Sequence, residues 1–121
     1  MSSTAFAALL AFTAGRYTLP GVTDEGVHVI RAIIQYESEP DPERYAQHNS
    51  EYSTRVECSA FRHGKVFGSP FGEPSFRYFA EFEWDDMESF KAAANSEAFA
   101  AAGKDAMAMG IPMTVHFVAV E

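Results

Sequence analysis

With 121 residues, 47% of them hydrophobic, the chain can build one domain around one core but not two. A formal net charge of -8, with 9 Lys and Arg scattered singly, excludes a nucleic-acid surface, which needs clustered cations. The lone Cys58 excludes an internal disulfide and reads as a small core residue, so the expected setting is the cytoplasm.

The first apolar run, Ala5 to Phe12, is too short to span a bilayer, and Met1 to Thr4 carries no Lys or Arg to make it a signal peptide. Residues 1–26 are therefore expected to be an N-terminal extension ending at the breakers Gly15, Pro20-Gly21 and Gly26. Its apolar side could dock on the domain or on a partner subunit. Neither a membrane span nor membrane binding is expected. The domain begins at Val27, where the Val- and Ile-rich run to Tyr36 predicts a strand. One face holds His28, Ile30, Ala32, Ile34 and Tyr36. The other holds Val27, Val29, Arg31, Ile33 and Gln35, an arginine and an amide in an apolar row.

Asp41-Pro42 then matches an N-cap followed by proline at the first helical position. Tyr45, Tyr52 and Val56 recur on one stripe of the helix, with His48 and Asn49 filling the turn between them. Glu43, Arg44, Gln47, Glu51 and Arg55 are expected to face solvent. A second strand over Cys58 to Phe67, a turn-rich loop from Gly68 to Pro74, and a third strand over Ser75 to Trp84 make a hairpin. Asp85-Asp86-Met87-Glu88 resembles a capping box for a second helix, Asn95-Ser96-Glu97 restarts a short helix reaching Gly103, and Met113 to Glu121 predicts the last strand.

This order gives an α+β fold: two split βαβ halves, a four-stranded antiparallel sheet with helices on one face, ferredoxin-like. The uncovered face would carry Val29, Ile33, Phe79 and Val118, which is too apolar for water. A homodimer packing two such faces together follows as an expectation. Polar residues among them would line an interior cavity.

Residues 27–121 also resemble the EthD-like family of dimeric α+β barrel proteins. The resemblance rests on the opening strand, on Pro-Asp-Pro-Glu-Arg-Tyr45-Ala-Gln-His48, on Tyr78-Phe79-Ala80-Glu81-Phe82-Glu83-Trp84-Asp85, and on the restart at Asn95-Ser96-Glu97. Trp84 stands where members of the family usually have phenylalanine. The resemblance implies a barrel-forming dimer with a cavity for a hydrophobic small molecule, and makes His48 the first candidate functional residue. Many such proteins are named reductases, yet Gly68-Ser69-Pro70-Phe71-Gly72 lacks the glycine spacing and the following helix of a nicotinamide site.

His48 is the expected catalytic residue, because an imidazole facing an apolar cavity can exchange a proton, with Tyr45 one turn earlier to orient it or bind a substrate oxygen. The alternative is a histidine held at a helix-sheet seam. Arg31, Phe79, Glu81 and His116 are the expected substrate-binding residues, although Arg31 and Glu81 could simply pair as ions at the dimer seam. The expected activity is enolisation, cyclisation or dehydration of an oxygenated compound without a cofactor. A noncatalytic carrier serving an oxidase is the alternative, as is a monooxygenase of the same fold, in its haem form with His116 or His48 as ligand. No metal is expected, since the four histidines are widely spaced.

Overall fold

Side-chain alternation and β-branching form the first strand, β1 (Val29–Tyr36), in the computed structural model, which describes residues 28–121. It is followed by α1 (Pro42–Glu51), a 3-10 turn at Ser53–Arg55, β2 (Ala60–Lys65) and β3 (Tyr78–Trp84). Then come α2 (Met87–Ala94), α3 (Glu97–Ala108) and β4 (Met113–Val120). The sheet is antiparallel throughout in the order β2-β3-β1-β4, the ferredoxin-like arrangement expected. The expected N-terminal extension, and Val27, lie outside the described residues.

The faces divide as the period of two requires. Ile30, Ala32 and Tyr36 of β1 and Ala80, Phe82 and Trp84 of β3 are buried beneath the helices. Trp84 is a core residue: its ring meets Phe90 at 5.0 Å and Phe82 at 6.0 Å, and its indole N–H donates to the Glu57 carbonyl at 2.7 Å. Arg31, Ile33, Phe79 and Glu81 occupy the reverse face, across which Arg31 sits opposite Glu83, and Ile33 opposite both Glu81 and His116. No helix among the described residues is long and apolar enough to cross a membrane.

Helix starts follow their caps. Asp41 accepts from the Arg44 amide at 3.0 Å with Pro42 behind it, and Ser96 accepts from Phe99 at 3.2 Å. The cap of α2 is Asp86, which accepts from Ser89 at 2.7 Å, so the third helical residue is a serine rather than the acid of a capping box. Strands β2 and β3 are shorter than their apolar runs. Beyond them the pairing frays to single bonds, Ser59 N–H to the Glu83 carbonyl at 2.7 Å and Val66 N–H to that of Arg77 at 2.9 Å.

The larger departure from expectation is α3. It continues through Gly103 to Ala108, although a mid-helix glycine costs about 1 kcal/mol against alanine. Ala102 and Ala106, buried on either side of that glycine, hold the turn against the sheet. The helix ends where Gly110 takes φ 75°, a left-handed conformation suited to glycine, and its N–H closes on the Met107 carbonyl at 3.0 Å. The extra length carries Asp105.

Candidate functional site

The start fixed at Asp41-Pro42 sets the rotation of α1, and with it the inward aim of Tyr45 and His48, each only 5% exposed. Burying an imidazole requires partners for its nitrogens. Asp105, on α3, supplies one: its Oδ2 lies 2.8 Å from His48 Nδ1. The guanidinium of Arg44 grips the same carboxylate with both arms, at 3.1 and 2.8 Å. Arg44 is therefore tied into the site instead of facing solvent with the rest of its helix face.

Burial opposes ionisation of Asp105, but the hydrogen bonds from Arg44 and His48 and the Arg44 charge outweigh it, so its carboxyl sits below the usual range. An ionised carboxylate can only accept, which assigns the proton to His48 Nδ1 and leaves Nε2 as the exchangeable nitrogen. Aromatic rings hold the imidazole from both sides, Tyr45 at 5.9 Å and 25° and Tyr52 at 6.1 Å and 28°. A fixed tautomer and a clamped ring are what a general acid or base requires.

His48 borders a cavity of about 50 Å³ walled by Ile34, Phe61, Phe82, Phe99 and Met107. The Tyr45 hydroxyl, buried beside it, has no hydrogen-bond partner among the described residues. Burial drives its pKa well up, and Asn49 is the side chain that acts against this, without reaching hydrogen-bonding geometry. A buried hydroxyl left unpaired costs about 1–3 kcal/mol, an expense a ligand oxygen would relieve.

Arg31, Phe79, Glu81 and His116 are not part of this constellation: they project from the other side of the sheet. There Arg31 Nε donates to Glu83 at 3.0 Å and stands 3.7 Å from Glu81, while Arg62 bonds Glu81 at 2.8 Å and stands 3.5 Å from Glu83. The hydrogen bond from Arg31, helped by Arg62, holds the Glu83 carboxyl below its usual range. Phe79 lays its ring over Gly64, where a Cβ would come within 2.9 Å of it. His116 is exposed on β4. Arg31 and Gln35 of the first strand therefore do not share a pocket with His48 within one subunit, because odd positions of β1 face away from the helices, whereas Tyr36 lines the His48 cavity.

Asp105, Glu83 and Arg62 were not singled out from the sequence. Glu83 was accessible to the same alternation that picked out Glu81. Asp105 was hidden by ending α3 at Gly103; its signal is an acid lying between the buried Ala102 and Ala106. Among the described residues no group of three or more His, Cys, Asp or Glu is placed to hold a metal ion.

No family model and no curated protein matches the chain. Solved structures do. A crystal structure of an EthD family protein from Bacillus halodurans is 25% identical and superposes with a TM-score of 0.61, covering 74% of this chain and 96% of that one. The fold is EthD-like. An EthD-like protein from Ralstonia eutropha, 18% identical, gives a TM-score of 0.59 over 77% of this chain and 92% of its own. A dimeric ferredoxin-like protein of unknown function from Thermobifida fusca, 16% identical, gives 0.57 over 85% and 100%. The EthD-like resemblance read from the sequence agrees with these superpositions.

Proposed function

We propose that this EthD-like protein moves a proton on a hydrophobic oxygenated small molecule, with His48 as general base or acid. The observation that carries the reading is the 2.8 Å contact between Asp105 and Nδ1 of a buried imidazole at an apolar cavity. In an enolisation, the C–H bond next to a carbonyl breaks, the proton passes to His48 Nε2, and the electron pair moves onto the carbonyl oxygen. Asp105 stabilises the imidazolium so formed, while the unpartnered Tyr45 hydroxyl donates to the enolate oxygen. Attack of the enolate carbon on a second carbonyl of the same molecule, whose oxygen takes the proton back from His48, would give cyclisation, and expulsion of a β-hydroxyl as water with that proton would give dehydration.

We also infer that two copies pack their open sheet faces together. Val29, Ile33, Phe79 and Val118 are half-buried at most in the single chain, Val120 is 36% exposed, and the Thermobifida fusca protein is described as dimeric. In this arrangement Arg31, Glu81 and His116 belong to the subunit seam and set its polarity. Sedimentation equilibrium should give twice the chain mass; a monomer at micromolar concentration rules the pairing out.

The proton-transfer reading is tested with 2-tetralone in deuterated buffer, following loss of its α-proton signals by NMR. Exchange above the buffer rate should fall by about 10²-fold or more in His48→Ala. Equal exchange in both proteins removes the role of His48. Binding of the ketone with no exchange in either leaves a carrier in its place.

A further inference from the structure

On the outer side of α1, against the β2–β3 edge, a groove of about 490 Å³ is lined by Glu39, Pro42, Tyr45, Asn49, His63 and Tyr78. The cavity beside His48 is only about 50 Å³, whereas roughly 150 Å³ is known to accept benzene. The groove falls within the roughly 300–1,000 Å³ of small-molecule sites. Tyr45 lines both spaces and is the wall between them.

The groove has the chemistry of an aromatic receptor. His63 Nδ1 and the Tyr78 hydroxyl are hydrogen-bonded at 2.8 Å, with their rings tilted 30° to each other and centroids 6.0 Å apart, a pair we refer to as a shelf. Tyr45 stands edge-on to that shelf, 5.3 Å from His63 and 5.2 Å from Tyr78. Its buried hydroxyl has no partner. Asn49 accepts from Ser53 through Oδ1 at 2.9 Å, which leaves its amide nitrogen to a guest. No lining residue is a Lys or Arg, and the one carboxylate, Glu39, is neutralised at the rim by Lys65 at 3.2 Å. An anion would find no cation to meet it and a cation no free carboxylate.

We propose that this groove binds a neutral oxygenated aromatic compound, a phenol or aryl ketone, whose ring lies on the His63–Tyr78 shelf and whose oxygen accepts from the Tyr45 hydroxyl. This names the ligand class for the proton-transfer reading, on which its catalytic relevance rests; proton transfer then requires the Tyr45 ring, which separates the groove from the cavity, to turn aside so that the guest reaches His48.

The test is a proton-nitrogen correlation titration of the full-length labelled protein with 2-naphthol, and separately with 2-naphthoate. 2-Naphthol should shift the amides of Ala46, Asn49, Ser50 and His63, and naphthoate should bind about tenfold more weakly or worse. Tyr45→Phe should weaken naphthol binding about tenfold, the loss of one hydrogen bond to a buried donor. Ala46→Trp, which fills the groove from its solvent side, should abolish binding. Equal affinity for naphthoate, full affinity in both Tyr45→Phe and Ala46→Trp, or shifts confined to the open sheet face would overturn the proposal. Groove binding without ketone exchange sinks the catalytic reading alone. Ketone exchange without groove binding sinks the groove alone.

Discussion

Each face of the sheet carries a cluster in which arginine meets carboxylate, and the two clusters differ in what surrounds them. On the helix side, Asp105 is fixed by two arms of Arg44 and by a histidine that is 5% exposed. On the open side, two arginines with 38% and 49% of their side chains exposed share Glu81 and Glu83. The arginine-carboxylate pairs themselves are about equally sheltered, Arg44 and Asp105 at 32% and 14% exposed against Arg31 and Glu81 at 38% and 15%, so what differs is the buried imidazole that the first carboxylate also holds. The same pairing of charges therefore makes a positioned chemical group on one face and a adaptable surface on the other.

The sharpest way to break this comparison is to truncate neighbouring aromatics of β3 that point to opposite faces. Phe82, buried between Phe61, Trp84 and Phe99, should cost about 3–5 kcal/mol on changing to alanine. Phe79→Ala, half-exposed over Gly64, should cost about 1 kcal/mol in the stability of the single subunit. Urea midpoints at constant m-value measure both. Equal losses would mean that the open face is as deeply packed as the core, as it would be in a dimer that never dissociates below its unfolding transition. Repeating the pair at several protein concentrations separates these cases.

Next in size is Asp105→Asn, expected to cost about 2 kcal/mol, because Arg44 and His48 lose a charged acceptor in a partly dry site. The sign of its pH dependence is fixed. The folded carboxyl titrates below its ordinary value of 3.8, so its contribution is complete above that value and disappears as pH falls through the folded one. The stability gap between wild type and Asp105→Asn should thus stay open at pH 5 and close in strong acid. A gap that is already closed at pH 5 would contradict the ion pair. Tetralone exchange should fall with it, since an asparagine no longer holds the imidazolium.

How much of this was legible in the sequence follows from the range of each interaction. The β1 alternation and the Asp41-Pro42 start depend on neighbours within a turn or a strand, and the structure keeps both. The strand order followed from the succession of elements. The contact between His48 and Asp105 joins residues 57 apart, and it exists only because α3 runs on past Gly103. Local propensity favours a stop at that glycine, and tertiary burial of Ala102 and Ala106 overrides it. Arg31 and His48 lie apart for a different reason: the faces of β1 were read correctly, and the sheet itself stands between its odd positions and the helix.

Arg31→Gln should have the smallest effect, about 0–1 kcal/mol. Removing it leaves Arg62 bonded to Glu81 at 2.8 Å and 3.5 Å from Glu83, so neither carboxylate loses its last cation. The surviving pairing is exposed, and raising salt from about 0.1 M to 1 M shortens the screening length from roughly 10 to 3 Å. Wild type and Arg31→Gln should therefore converge in stability at high salt, whereas the gap between wild type and Asp105→Asn should persist. If Arg31→Gln instead costs as much as Asp105→Asn and resists salt, the open face is dry in solution. That result would place the four-residue network inside a subunit interface, where a charge deprived of its partner has no water to turn to.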